Sequence, residues 1–388
     1  MSRMFSGYLL VIFMFTLCSG LSFIPPVLGD PVVGDAPQQI KDHYVPEPDE
    51  YEVESWIEDL RIPWSLVFIS EEKALVTERS GRIRLVINGA MQREPYKIID
   101  ETEHVGEGGL MGLAKHPDYH ENKYLYLMHT YRENNELYNR VVRYLDTGET
   151  MELDRIIVDR IPGHRVHNGG RIAFGPDNML YVCTGDVGQP ETAQDIDNLG
   201  GKILRLTPSG DIPEDNPFEG SPVYSLGHRN PQGLAWHPKT GDLFSSEHGP
   251  SGEFGLQGRD IINLIEKGGN YGWPHALGEA NLDEYIDPLI MWMDATPPSG
   301  MTFWNNRLYL ATLRSEALIR MDFQKAGDSY EPVSIDRLFA DGSFSGIYGR
   351  LRAAVVGPDG ALYVLTSNLD GRGKPREGDD KILRLTRK

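Results

Sequence analysis

Short apolar runs broken by Gly, Pro, Asn and Asp turns fill the chain from Trp64 to its C-terminus, the pattern of strands and tight turns rather than of long helices. One strand-turn-strand unit recurs. It occupies residues 64–69 with 74–78, 112–118 with 124–127, 170–177 with 179–182, 233–238 with 242–245, 299–304 with 307–310, and 351–360 with 361–365. Several units are followed by a strand in which apolar and basic residues alternate, at 81–86, 140–144, 202–206, 317–321 and 381–385, which predicts half-buried strands. Units of roughly 40–65 residues, each too small to cover both faces of its own sheet, predict radial packing. The fold class expected is therefore all-β, a six-bladed β-propeller of four-stranded antiparallel blades over residues 51–388. The strand at 51–57 is expected to join 381–385 in one blade and close the ring. A pair of stacked β-sandwiches explains six similar units less well.

Composition adjusts this picture at the N-terminus. Arg3 precedes an apolar run at 8–17 and turn-forming residues up to Gly29-Asp30, so residues 1–29 read as an export signal or a membrane anchor, with a lipid-modified Cys18 as a weaker variant. Residues 30–50, rich in Pro and acidic side chains, read as a flexible linker. An extracytoplasmic location follows. With Cys18 removed or modified, Cys183 stands alone and no disulfide is available. The formal net charge of -19 excludes nucleic acid as a general partner and limits membrane contact to the N-terminal segment.

In so acidic a chain, basic residues at corresponding loop positions become informative. His167 lies in Arg165-Val166-His167-Asn168-Gly169-Gly170-Arg171, where a loop enters a strand. The glycine pair lets the backbone bend tightly, and an imidazole held there suits a proton acceptor near neutral pH. At similar places lie Glu107, the pair Arg229-Asn230, and Arg350 with Arg352, while Arg314 ends a strand. Arginines gathered from several blades call for a planar polyanion, since guanidinium groups pair bidentately with carboxylates and stack on flat rings. The turn-rich loop Glu247-His248-Gly249-Pro250-Ser251-Gly252-Glu253 offers carbonyls to a hard cation such as calcium. Asp260 and Tyr271 are candidates for a second calcium, or for ordinary turn chemistry.

Taken jointly, Gly106-Glu107-Gly108-Gly109-Leu110-Met111-Gly112, the His167 segment, Gly227-His228-Arg229-Asn230-Pro231-Gln232-Gly233, Glu247-His248-Gly249-Pro250, Gly268-Gly269-Asn270-Tyr271-Gly272-Trp273-Pro274 and Arg350-Leu351-Arg352 carry a resemblance. From about Trp56 onward the chain resembles the soluble PQQ-dependent aldose sugar dehydrogenases, relatives of soluble quinoprotein glucose dehydrogenase. The resemblance implies pyrroloquinoline quinone (PQQ) and calcium at the loop end of the channel. It implies His167 as general base, Arg229 beside the reactive quinone carbonyl, and Asn230, Arg314, Arg350 and Arg352 as cofactor contacts. Gly249 and Pro250 would hold calcium through backbone carbonyls, and Glu107 would contact the sugar.

Three departures stand out against the glucose enzymes. Val166 replaces an aspartate beside the base, so another residue must orient His167; Arg314 replaces a lysine, and Glu107 a glutamine. The implied reaction is oxidation of an aldose at its anomeric carbon to a lactone, the proton going to His167, hydride to the quinone, and the electrons onward to an external acceptor. The active unit is expected to be a monomer or a homodimer. A calcium-dependent sugar lactonase would instead crowd carboxylates at the channel mouth. A non-catalytic extracellular binding propeller would need neither base nor arginine cluster.

Overall fold

The computed structural model describes residues 29–388, so the expected export or anchor segment lies, but for Gly29, outside the described residues. Six antiparallel sheets are arranged as the blades of a propeller. From the axis outward, the first runs Pro63–Phe68, Lys73–Glu78, Arg82–Ile87 and Ala90–Met91, with Lys97–Ile98 also on the third strand. The second is Leu110–Lys115, Tyr124–Glu133, Glu136–Asp146 and Met151–Pro162, and the third Ile172–Phe174, Leu180–Thr184, Lys202–Leu206 and Val223–Leu226. The fourth is Pro231–Trp236, Leu243–Glu247, Asp260–Ile265 and Ile290–Trp292. Pro298–Trp304, Arg307–Thr312, Leu318–Ala326 and Ser329–Leu338 make the fifth. Leu351–Val356, Leu362–Thr366 and Ile382–Arg387 make the sixth, completed by Tyr51–Ile57 from the other end of the chain, with Leu385 opposite Val53.

The alternation in the sequence has a direct cause in the packing. Each blade presents one face to the blade before it and one to the blade after, and an apolar cluster fills each of the six junctions. The junction between the sixth and first blades joins Ile57, Ile382 and Leu365 to Leu66, Val76 and Val86, so the ring is closed by the same burial that holds its other junctions. Between two neighbours a strand can be buried on both sides. Lys202–Leu206, expected to be half-buried, is buried at every position. Its two basic side chains are satisfied locally: Lys202 Nζ donates to the carbonyls of Thr192 and Gly200, and Arg205 pairs with Asp177 and Asp215.

Residues 30–50 are not the flexible linker their composition suggests. Val32–Val33 pairs in parallel with Ala276–Leu277, and His43–Val45 adds a parallel strand to the outer edge of the fifth blade. Between them the Gln38 amide exchanges hydrogen bonds with the backbone of Met291 (2.8 and 3.0 Å), and Asp42 accepts from the buried Arg337 and from Trp292. A few polar anchors at the right spacing secure a segment with little apolar surface of its own.

Candidate functional site

Every inner strand runs in the same sense, so residues entering them meet at one end of the channel. There a cavity of about 200 Å³ opens, and all six blades line it: Trp64 and Arg79, Glu107 and Met111, Asn168 and Gly169, Gln232 and His248, Leu313, then Arg352, Asp370 and Arg372.

His167, next in sequence to the cavity-lining Asn168 but not itself among the lining residues, is in the left-handed region, φ 53°, and the glycines after it are required. A Cβ on Gly169 would lie 2.4 Å from the Cys183 carbonyl oxygen, and one on Gly170 2.7 Å from Met111 Sδ. Its Nδ1 is 2.6 Å from Asp186 Oδ1. Asp186, fully buried, also accepts from the Trp273 indole (2.8 Å) and the Gly188 N–H (2.8 Å). With Nδ1–H donating to Asp186, the neutral ring keeps its Nε2 lone pair, and no hydrogen bond to Nε2 occurs among the described residues. Asp186 thus orients the His167 imidazole, with Val166 standing where an aspartate was the expected neighbour. It follows the strand Leu180–Thr184 in Thr184-Gly185-Asp186-Val187-Gly188, and a carboxylate in a glycine-flanked turn was the signal available in the sequence.

Glu107 accepts from the backbone N–H of His167 (3.1 Å) and forms an ion pair with Arg372 (2.7 Å). Burial alone would raise its pKa, but the charge and hydrogen bond of Arg372 outweigh burial and hold it at about 2. Arg350 pairs with Asp370 at 2.7 Å. Arg352 donates to Gln232 Oε1 (2.8 Å) and Ser299 Oγ (3.3 Å), and burial pulls its pKa down to about 9. Asn230 accepts from Gly169 N–H (2.9 Å) and leaves its own amide Nδ2 buried without a partner, as is Arg352 Nε. Arg229, buried, pairs with Glu253 (2.6 Å), lies over Trp273 and points Nη1 at the His248 carbonyl (3.4 Å). Arg314 is exposed, over the ring of Phe344, and is not among the cavity-lining residues. Arg79, Arg372 and Asp370, which line the cavity, were not singled out in the sequence because each reads as an ordinary turn or strand-end charge.

Three guanidinium groups against two carboxylates, with unpaired buried donors on Arg352 and Asn230, fit a planar polyanion such as PQQ. Gly249 and Pro250 are buried, and neither carbonyl accepts a hydrogen bond among the described residues, which fits a hard cation. A Cβ on Gly249 would fall 2.1 Å from the Gly258 carbonyl oxygen, so only glycine permits this close approach.

The pair Asp260 and Tyr271, by contrast, is not brought together. Asp260 accepts from the N–H groups of Gly249 (3.0 Å) and Thr296 (2.7 Å), and burial pushes its pKa up to about 7. The Tyr271 hydroxyl sits at the other end of the same strand, donating to the Leu264 carbonyl (2.6 Å) and accepting from Glu266 N–H (2.7 Å). Among the described residues no three His, Cys, Asp or Glu side chains gather as a metal site.

Fold and site together define a six-bladed propeller with one cation-rich cavity at its loop end. Residues 60–384 match the family model described as Glucose / Sorbosone dehydrogenase. The chain belongs to this family of β-propeller oxidoreductases, which includes the PQQ-dependent aldose sugar and glucose dehydrogenases.

Its relatives agree with the assignment. A Thermus thermophilus structure described as a putative oxidoreductase (glucose dehydrogenase) is 49% identical with a TM-score of 0.81, covering 87% of this chain and 100% of its own. The PQQ-bound aldose sugar dehydrogenase of Streptomyces coelicolor is 37% identical with a TM-score of 0.75, covering 88% and 99%. The aldose sugar dehydrogenase of Escherichia coli is 31% identical over 342 residues, 80% of this chain and 88% of its own.

Proposed function

We propose that this protein oxidises aldose sugars at the anomeric carbon to lactones, with PQQ and calcium bound in the cavity. The observation that carries the reading is the His167–Asp186–Trp273 relay, joined through Asn168 to the cavity, together with the unpaired buried donors Arg352 Nε and Asn230 Nδ2. Bound PQQ supplies a two-electron acceptor, polarised by calcium. His167 Nε2 takes the proton of the anomeric hydroxyl, and Asp186 stabilises the imidazolium that results. Trp273 and Gly188 hold the Asp186 carboxylate in place. Arg350, Arg352, Asn230 and Arg314 would hold the cofactor, Gly249 and Pro250 would hold calcium, and Arg229, adjacent to them, would set a positive charge beside the bound quinone. Glu107 and Arg372 contact the sugar at the cavity mouth. The electrons leave to an external acceptor, and the work is done outside the cytoplasm.

Both cavity carboxylates are ion-paired with arginine, which disfavours the lactonase alternative. The test is to titrate apo-protein with PQQ and calcium by absorbance, then follow dye reduction by a panel of aldoses. Substituting His167→Ala or Asp186→Asn leaves the titration unchanged and lowers turnover by about 10²-fold or more. A reconstituted protein that reduces no dye with any aldose overturns the proposal, and wild-type turnover in His167→Ala overturns the role of the base.

A further inference from the structure

Beneath the cavity, Arg171 reaches from the third blade across the channel. Its Nε donates to the Gln232 carbonyl (2.9 Å) on the fourth blade and Nη1 to Ser65 Oγ (3.2 Å) on the first. Nη2 lies against the fifth, where a Cβ on Gly300 would be 2.7 Å away. Arg352 comes in from the sixth blade to the side chains of Gln232 and Ser299. Both guanidinium groups lie over the ring of Trp64, 4.1 and 5.8 Å from its centroid, and among the described residues neither has a carboxylate within ion-pair distance. Arg171 Nη2 and Arg352 Nε are buried without partners. The hydroxyls of Ser65 and Ser299 accept from these guanidinium groups, and their own O–H groups find no acceptor among the described residues. Burial lowers the Arg171 pKa only to about 10, so both charges persist at neutral pH.

Two like charges over one tryptophan, Arg171 half-buried and Arg352 buried, keep unpartnered buried donors and have no directly paired carboxylate among the described residues. We propose that the central channel binds a small inorganic anion, of halide or nitrate size, between Arg171 and Arg352, with the Ser65 and Ser299 hydroxyls completing its shell. The absence of a carboxylate ligand excludes a cation at this point. Trp64, Gln232 and Arg352 also line the cavity above whereas Arg171 does not, so the site adjoins the proposed cofactor position and reaches below it through Arg171. The anion would keep the channel closed beneath Trp64 and hold together strands of five blades.

The experiment uses apo-protein exchanged into chloride-free buffer. Thermal unfolding is followed against sodium bromide and, at matched ionic strength, sodium fluoride, whose strong hydration makes it a poor ligand here. Bromide is expected to raise the midpoint saturably, by about 2 °C at tenfold saturation, and fluoride not. Arg171→Gln abolishes the difference. Should that variant fail to fold, a wild-type crystal soaked in bromide decides: an anomalous peak beside Arg171 and Arg352 supports the site. Ordinary water there, or bromide on exposed arginines such as Arg314 as an adventitious ion only, overturns it, as do equal responses to the two salts. PQQ uptake is measured in parallel. Uptake without bromide at Arg171 sinks the anion site and leaves the proposed function standing, and bromide bound without PQQ uptake does the reverse.

Discussion

Glu107 is tied to two elements at once, accepting from the backbone that carries His167 and pairing with Arg372 from the sixth blade. Its ionised form is favoured by the fold, with a pKa near 2 where an ordinary glutamate has 4.5. A depressed carboxylate pKa contributes stability that is present above the unfolded value and lost as pH falls through the folded one. Wild type is therefore expected to be more stable than Glu107→Gln between pH 5 and 7, and the gap to shrink from about pH 4.5 toward pH 2. Urea unfolding of both proteins across that range checks this, and a gap that widens on acidification contradicts it. At this scale legibility was uneven. His167 announced itself through the glycines that follow it, whereas Asp186 becomes a partner only because the third blade brings it to 2.6 Å across a turn. The arginines behaved likewise: Arg350 and Arg352 stood out by position, but which donors remain unpaired depends on the neighbours folding supplies.

The strand-turn-strand unit was the most legible feature, because period-two alternation reports directly which side of a strand meets another blade. Composition misled at the segment 30–50, where prolines and acids obscure Gln38 and Asp42 as anchors. Asp42 is the stronger of the two, for Arg337 is nearly inaccessible and Asp294, its other carboxylate, is 3.5 Å away. Removing a partner from a buried ion pair leaves an uncompensated charge. Asp42→Ala is expected to lower the unfolding free energy by about 3 kcal/mol, read from urea denaturation, with little change in PQQ uptake. A loss below about 0.5 kcal/mol would mean that the segment is only loosely attached.

For the whole molecule, closure of the ring is what makes six small sheets one cooperative body. Ile57, from the N-terminal strand, is buried where the sixth blade meets the first. Ile57→Asp places an unpaired carboxylate in that apolar junction and is expected to cost about 3 kcal/mol or more. The matching change at Ile98, which is 48% exposed on the outer edge, is expected to shift the urea midpoint little. Similar midpoints for the two variants would show that the junction does not hold the ring.

Local pattern alone determined the strands, their number of repeats and the closing pair, since each depends on spacing along the chain. Tertiary structure decided which carboxylate steadies His167, that Asp260 and Tyr271 lie apart, that residues 30–50 are fastened to the blades, and which guanidinium groups remain unpaired in the channel. These depend on distances between residues remote in sequence, and burial between adjacent sheets sets them only when the ring has closed.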